Sequence, residues 1–269
     1  MNIKTPLRIC IIGSGNVATH FTRVFHCAGH YIAQVYSRNA DHARRLAEKT
    51  EAEAISGMEV IDRTCDLYLF SIKDDALPSL AAQMPETSGL WVHTAGSISI
   101  DILTAHHERS GVIYPLQTLS RSRDIDFSTV PLYIEGNTRE TEKELVALAS
   151  EMSRYVYVCN SLQRAALHLS AAFACNFTNY MYDVAEQLLE EYNLPARSLE
   201  PLIAETAAKY AHMRAVDAQT GPAARGDRQT MDKHLKLLED HPELQTIYRT
   251  LSEAIEKRQN NYKKEKRHE

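Results

Sequence analysis

The sequence predicts an α/β domain with a doubly wound parallel sheet, followed by an all-α C-terminal domain. Apolar, β-branched strands alternate with amphipathic helices as far as residue 158, the pattern of a sheet covered by helices on both faces. A glycine-rich turn joins the first strand to the first helix, and after residue 158 only helical periodicity remains. We therefore place the two domains at residues 1–159 and 160–269.

The first two strand–helix units carry the clearest signals. Residues 7–12 predict a buried strand, and residues 16–28 have apolar side chains at helical spacing, with Gly29 as the C-cap. Residues 31–36 predict a second strand and residues 40–49 a second helix. Such a βαβ unit implies parallel strands joined by right-handed crossovers.

The later elements follow the same logic until the change at residue 158. Strands are predicted at residues 66–72, 90–93, 111–114, 131–135 and 155–158, and helices at 76–84 and 138–153. Beyond them we expect one long helix over 161–192, a helix from 195 to about 218, and helices at about 229–239 and 242–257. A turn at 220–227 separates them, and the basic tail 263–267 is expected to be solvated.

Composition excludes several functional classes. The chain has 269 residues, of which 44% are apolar, and a net charge of −5, so nothing electrostatic favours nucleic acid as a partner. The apolar run at 7–12 is too short to cross a membrane, and no export signal is visible. Five scattered cysteines without a CxxC pair suit a reducing compartment. We expect a cytoplasmic protein without a membrane partner.

The glycine turn predicts a Rossmann-type dinucleotide site. Its first glycine permits the tight turn, its second lets a pyrophosphate approach the backbone, and a small third residue keeps the helix near the strand. The helix N-terminus offers N–H groups to the phosphates. A turn without a ligand would also explain the glycines, but the complete βαβ setting favours binding. The predicted residues are Gly13, Ser14, Gly15, Asn16, Val17 and Ala18.

The end of the second strand indicates which dinucleotide binds. An NAD site places an acidic residue there for the ribose diol, whereas this chain has Ser37, Arg38 and Asn39. Arg38 is suited to pair with a 2′-phosphate, so the expected cofactor is NADP(H). A solvated loop arginine is the alternative for Arg38, and a helix N-cap is the alternative for Asn39.

Four further segments give the sequence a family resemblance. They are His93-Thr94-Ala95-Gly96, Tyr114-Pro115-Leu116-Gln117-Thr118, the segment from His168 to Asn176, and the TGPAARGD turn at 220–227. With these, the chain resembles the superfamily of pyrroline-5-carboxylate reductase, 6-phosphogluconate dehydrogenase and the β-hydroxyacid dehydrogenases, and within it a set of largely uncharacterised Rossmann-like proteins. The resemblance implies an NADP-dependent reductase or dehydrogenase that dimerises through its C-terminal helices.

One departure from that superfamily affects the chemistry. The β-hydroxyacid dehydrogenases carry a catalytic lysine on the first long C-terminal helix, and no lysine lies between Ser161 and Tyr192 here. His168 is the first candidate to handle the proton, because histidine titrates near neutral pH. A helical projection places Asn176 and Asn179 on its face, as candidates for catalysis and for substrate binding. Packing contacts are the alternative for His168 and Asn176.

Polar residues at three strand ends should meet at the edge where open α/β sheets bind ligands. We assign one group to the cofactor: Ser71, Ile72, Lys73, His93, Thr94 and Ala95. His93 is also a substrate candidate, together with Tyr114 and Gln117. A histidine bonded to the backbone is the alternative for His93.

Arg225, in the 220–227 turn, could bind a substrate carboxylate or phosphate, although a structural role together with Asp227 is favoured slightly. No metal site is expected, because the twelve histidines are spread out. A serine hydrolase is not expected either, because no GxSxG follows a strand.

These assignments predict an NADP(H)-dependent oxidoreductase that transfers a hydride to or from a small C=O or C=N compound held in the cleft between the domains. Two alternatives stay open: a nucleotide-binding regulatory protein without turnover, and a scaffold dimer with a vestigial site. A deazaflavin could also replace the organic substrate. The substrate, the direction and the pathway do not follow from the sequence.

Overall fold

The computed structural model describes residues 5–267. Residues 1–4, part of the N-terminal segment in which no export signal is visible, are outside the described residues. The chain forms two compact units, the first ending at Met181 and the second beginning at Tyr182. The pattern of alternating strands and helices ends at 159/160, whereas the boundary between the two compact units lies at 181/182. The two boundaries therefore do not coincide.

The first unit is built on one eight-stranded sheet. Its strands are β1 (Arg8–Ile12), β2 (Tyr31–Tyr36), β3 (Glu53–Ile55), β4 (Leu67–Phe70), β5 (Leu90–His93), β6 (Ser110–Pro115), β7 (Leu132–Gly136) and β8 (Val156–Val158). The order across the sheet is β3-β2-β1-β4-β5-β6-β7-β8, which confirms the doubly wound arrangement because the chain proceeds outward in both directions from β1 and β4. The short strand β3 was not predicted.

The last two strands correct the expectation of a wholly parallel sheet. Strands β1 to β6 are parallel, but β7 runs antiparallel to β6, and β8 is parallel to β7. The described residues between β6 and β7 contain a 3₁₀ turn, Phe127–Thr129, and no α-helix. A parallel return needs a crossover that is usually helical, so the chain comes back antiparallel.

Helices cover both faces of this sheet. They are α1 (Asn16–Cys27), α2 (Ala40–Ala47), α3 (Leu77–Gln83), α4 (Asp101–Thr104), α5 (Arg139–Met152) and α6 (Ser161–Ala171). One apolar cluster joins the sheet to α1, α2 and α5, and another joins it to α3 and α4. Residues on both faces of the central strands are therefore buried, which leaves the strand ends as the place for polar chemistry.

The long helix predicted over 161–192 is not a uniform α-helix. Helix α6 continues into a π-helical turn, Ala172–Phe177, and then into α7 (Thr178–Glu191). The Thr178 hydroxyl donates to the Phe173 carbonyl, five residues earlier, at 3.2 Å. A π-turn adds a residue to the winding and so rotates the next helix by about 100°. The helical projection used for Asn176 and Asn179 therefore does not apply.

The described residues of the second unit form the end of α7, a 3₁₀ turn (Ala196–Leu199) and five further α-helices: α8 (Glu200–Tyr210), α9 (Ala215–Ala218), α10 (Pro222–Arg225), α11 (Arg228–Leu237) and α12 (Pro242–Glu265). The helix predicted over 195–218 is divided. Pro201 stands in the first turn of α8, where its missing N–H costs nothing, and Arg214 is extended just before α9.

Helix α12 extends about two turns beyond its predicted end and includes most of the basic tail. Lys266 Nζ lies 3.1 Å from Asp217 Oδ1, and the Tyr262 hydroxyl donates to the same oxygen at 2.7 Å. These contacts tie the tail to α9, which corrects the expectation that it is merely solvated. Across residues 5–267, no helix combines the length and hydropathy that a membrane span requires.

Candidate active site

A cleft of about 670 Å³ opens at the carboxyl ends of the parallel strands in the first unit. Most residues predicted for a ligand line it: Gly13, Ser14, Gly15, Asn16, Val17, Ser37, Arg38, Asn39, Ser71, Ile72, Lys73, Thr94, Ala95, Tyr114, Gln117 and His168. The other lining residues were not assigned to a ligand from the sequence: Tyr36, His42, Asp74, Ala76, Leu80, Gly96, Pro115 and Arg121.

The glycine turn has the geometry of a phosphate cradle. Gly13 has a φ of +126°, and a Cβ there would lie 2.1 Å from the Ser71 carbonyl oxygen. At Gly15 a Cβ would meet nothing within 4 Å, so the turn leaves open space beside the backbone. Helix α1 has no side-chain N-cap and no acidic residue in its first turn. Its first N–H groups are therefore available to an anion, and this part of the cleft fits a pyrophosphate.

The end of β2 adds a polar and cationic wall. The Ser14 hydroxyl donates to Ser37 Oγ at 2.9 Å, which joins the glycine turn to the second strand. Asn39 Oδ1 accepts hydrogen bonds from the N–H groups of Asp41 and His42, so Asn39 is the N-cap of α2 through its side chain. Arg38 is exposed and has no hydrogen bond or ion pair to any described residue. It is available to a ligand phosphate.

The other end of the cleft holds a tyrosine–histidine pair. The Tyr114 hydroxyl, at the end of β6, lies 3.0 Å from His168 Nδ1 on α6. Tyr114 is buried, and burial raises the pKa of its hydroxyl, whereas His168 is exposed. Gly96 makes this approach possible, because a Cβ there would lie 2.7 Å from His168 Nδ1 and 2.9 Å from Tyr114 Cε2. The sequence predicted both residues but not their contact.

A buried ion pair holds helix α6 in place behind this pair. Arg164 is fully buried and donates to Glu135 on β7 and to the Ile98 carbonyl. Glu135 also accepts from the backbone N–H and the hydroxyl of Ser161. The same carboxylate and guanidinium thus join β7, the loop after Gly96 and the start of α6. His168 lies one helical turn beyond Arg164, so this network positions it.

His93 lies behind the wall of the cleft. Its side chain is fully buried, and its Nδ1 accepts the Ala95 N–H at 3.2 Å. Burial, with a smaller contribution from the Arg164 charge, lowers the pKa of His93 to about 3. The imidazole is therefore neutral at ordinary pH and supports the backbone of the loop that lines the cleft. We expected His93 to contact the cofactor or the substrate. Its side chain instead points into the core and does not line the cleft.

A pH-dependent stability should follow from His93. The native pKa of about 3 lies below the ordinary value of 6.5, so the unfolded state binds the extra proton between these values. The free energy of unfolding is therefore highest above pH 6.5. As the pH is lowered from 6.5 toward 3, it decreases by up to about 1.4 kcal/mol per pH unit. Between about pH 6.5 and pH 5, wild type should lose about 2 kcal/mol more than His93→Asn, measured by urea unfolding; equal slopes would contradict this.

Other predicted site residues lie outside the cleft. Ala18 lies on the buried face of α1, where its small size allows close packing against the sheet. Asn176, in the π-turn, and Asn179, in α7, are exposed and do not line the cleft. Arg225 is exposed in the second unit, where Asp227 caps α11 through the Thr230 N–H. The roles given to the two asparagines and Arg225 stay predictions.

The residues missed by the sequence reasoning had weak or long-range signals. Arg164 stands among alanines and leucines in α6, and a lone charge in such a run was a usable sign of a buried ion pair. Arg121 reaches the carbonyl oxygen of Ser14, 107 positions away, and nothing local indicates that. Among the described residues, no group of histidine, cysteine, aspartate and glutamate side chains could hold a metal.

Comparisons with known proteins place two family models on this chain. The family model described as coenzyme F420-dependent NADP oxidoreductase matches residues 8–103, and a domain of unknown function, DUF2520, matches residues 130–255. No curated protein matches the chain at a significant level.

Among solved structures, a Bacteroides fragilis protein provisionally named an NADP oxidoreductase is 41% identical, with a TM-score of 0.86 over 94% of this chain and 98% of that one. A pyrroline-5-carboxylate reductase from Streptococcus pyogenes is 14% identical, with a TM-score of 0.63 over 94% and 99%. A reductive aminase from Aspergillus terreus, solved with NADPH and ethyl-5-oxohexanoate, is 15% identical, with a TM-score of 0.69 over 91% and 93%. The last two share the fold.

Proposed function

The chain belongs to the family of Rossmann-type NADP oxidoreductases represented by the Bacteroides fragilis protein, and on that premise we propose that it transfers a hydride between NADP(H) and a small C=O or C=N compound. One observation carries the proposal. The same cleft holds an anion-binding glycine turn at one end and the hydrogen-bonded Tyr114–His168 pair at the other. We therefore assign the cofactor site and the proton-transfer site to the same cavity.

NADP(H) is supported over NAD(H) by the charges at the end of β2. A 2′-phosphate placed there would face Arg38, and Ser37 offers a hydroxyl beside it. The acidic residue that lines the cleft, Asp74, follows β4 instead and accepts a hydrogen bond from Ser97. An arginine without a competing carboxylate at the strand end favours the phosphorylated dinucleotide.

The chemistry divides between cofactor and protein. The bound nicotinamide supplies or accepts the hydride. The protein must orient the substrate and move one proton at its oxygen or nitrogen. Tyr114 and His168 both line the cleft and share a hydrogen bond, so a proton given by one can be replaced through the other. Gln117 lines the same region, and we assign it to substrate orientation.

Arg38→Ala should reduce the preference for NADP(H). Loss of a charge-assisted hydrogen bond to a phosphate should weaken NADPH binding by about 10- to 100-fold, while NADH binding changes little. Fluorescence titration with both cofactors measures the ratio. Arg44→Ala is the matched control, because Arg44 is an exposed arginine of α2 that pairs with Asp41 and does not line the cleft. Equal weakening of both cofactors would remove Arg38 from the 2′-phosphate site.

A reductase screen tests the proposed reaction. Purified protein and NADPH would be offered keto acids, other carbonyl compounds and cyclic imines, with NADP⁺ and 2-hydroxy acids for the reverse direction. Oxidised coenzyme F420 belongs in the same screen, because the family model that matches residues 8–103 carries that cofactor's name; hydride exchange with this deazaflavin is our second candidate. Tight NADPH binding without turnover on any of these would favour a nucleotide-binding regulatory protein.

We also propose that the protein is a cytoplasmic homodimer. Large apolar side chains are exposed along the α6–α7 region of the first unit: Leu162, Leu169, Phe173 and Phe177. Within the second unit, Leu202 and Tyr210 are 62% and 75% exposed. Apolar surface of this extent is usually covered by a partner. Light scattering coupled to gel filtration should give twice the mass of one chain, and a monomer at micromolar concentration would contradict the dimer.

A further inference from the structure

The segment of residues 117–125, between β6 and β7, crosses over the start of helix α1. Asn16 Nδ2 donates to the Leu119 carbonyl at 2.9 Å, and His20 Nε2–H donates to the Ser120 carbonyl at 3.0 Å. Arg23 forms an ion pair with Asp124. We call the segment of residues 117–125 the strap. Because it is held at three points along the first two turns of α1, the strap is a fixed part of the cofactor cleft.

Arg121 lies at the centre of the strap and points toward the glycine turn. Its guanidinium donates to the Ser14 carbonyl, and the Ser14 hydroxyl donates in turn to Ser37 Oγ at 2.9 Å. Ser37 immediately precedes Arg38, and both arginines line the cleft. Arg121 is therefore at the β2 side of the glycine turn, where the 2′-phosphate of NADP(H) is proposed to bind, rather than at the nicotinamide end.

A second, smaller pocket of about 350 Å³ shows how cationic this region is. It shares Ser14, His42 and Arg121 with the cleft, and its other lining residues are Thr19, Arg45, Leu46 and Lys49. No carboxylate is among these described lining residues. Arg45 and Lys49 thus add positive charge beside Arg121, with no acidic residue in this wall, so the field near Arg121 favours a phosphate dianion.

We infer that Arg121 is a specificity-determining residue that binds the cofactor's 2′-phosphate together with Arg38. Arg38 approaches from β2 and Arg121 from the strap, so the phosphate oxygens are held from two sides. The Arg121 guanidinium has five N–H donors, of which the Ser14 carbonyl uses one, so phosphate can be bound without losing the contact to the turn. This inference rests on the proposed use of NADP(H), and it extends the 2′-phosphate site beyond the βαβ fingerprint.

The test compares ligands that differ only in the 2′-phosphate. Arg121→Gln should weaken NADPH and adenosine 2′,5′-bisphosphate by about 10-fold and leave NADH and adenosine 5′-monophosphate within about 2-fold. Arg121 is exposed, so the substitution should not unfold the protein; thermal melting checks this. Arg23→Gln is the matched control, because Arg23 also holds the strap but does not line the cleft. Its NADPH-to-NADH ratio should equal that of wild type.

Three results would overturn the inference alone. If Arg121→Gln weakens NADPH and NADH equally, Arg121 only braces the turn or binds the pyrophosphate. If it changes neither, or if Arg23→Gln changes the ratio as much, the guanidinium has no specific role at the 2′-phosphate. In all three, a wild-type preference for NADPH would leave the proposed function intact. If wild type itself does not prefer NADPH over NADH, both the inference and the proposed cofactor fail.

Discussion

His168→Ala and Tyr114→Phe are each expected to lower kcat by about 10²- to 10⁴-fold, the usual contribution of a positioned acid or base. The reason is their hydrogen bond of 3.0 Å within the cleft, through which one residue gives the proton and the other replaces it. The rates would be measured with the substrate found in the screen. NADPH binding should stay near the wild-type value, because both residues lie at the end of the cleft away from the glycine turn.

Two comparisons make this prediction specific. The double variant should be hardly slower than the slower single variant, because residues that act as a unit are strongly non-additive. Tyr133→Phe is the matched control, since Tyr133 pairs with Tyr114 across the sheet but does not line the cleft. Unchanged turnover in both single variants, or an equal loss in Tyr133→Phe, would remove the pair from the mechanism.

Glu135→Gln is expected to destabilise the protein by about 3–5 kcal/mol, because it leaves the fully buried Arg164 guanidinium without its counter-charge. In a chain of this size that corresponds to a fall in Tm of about 6–20 °C, measurable by calorimetry. The loss should exceed that of an exposed pair such as Arg109–Glu144, where Glu144→Gln should cost about 1 kcal/mol or less.

A double variant separates charge from packing. Glu135→Leu with Arg164→Met replaces both charges by apolar side chains, and such replacements of buried pairs are often neutral or stabilising. We expect it to recover most of the Tm lost in Glu135→Gln but not full turnover, since the link from Arg164 to the Ile98 carbonyl beside the Tyr114–His168 pair is gone. A Glu135→Gln variant as stable as wild type would show that the ion pair is unimportant.

The features that the sequence predicted correctly depend on local rules. Gly13 was predicted from the tight turn between a strand and a helix, and the structure shows the positive φ and the close approach to the Ser71 carbonyl that require a glycine there. Ser37, Arg38 and Asn39 line the same cleft as the glycine turn, as the fixed order of a βαβ unit predicts, and their contact with a cofactor stays a prediction. The alternation of elements likewise identified the doubly wound sheet and its boundaries to within a few residues.

The features that the sequence missed depend on contacts between distant segments or on irregular geometry. Asn176 and Asn179 were placed by an ideal helical projection that the π-turn at Ala172–Phe177 interrupts. His93 was placed on the rim because its strand ends there, but strands buried on both faces can direct a terminal side chain into the core. Arg121 acts through a contact with Ser14 that no local pattern shows. For Arg164, the lone charge in an apolar helix indicates a buried ion pair but not its partner on β7.

The most direct test of the account is the affinity of the purified wild-type protein for NADPH and NADH under identical salt conditions. With Arg38 at the end of β2 and no carboxylate beside it among the described residues of the cleft wall, we expect NADPH to bind at least about 10-fold more tightly than NADH. NADH binding as tightly as NADPH, or the absence of binding by either, would contradict the proposal that this cleft is an NADP(H) site.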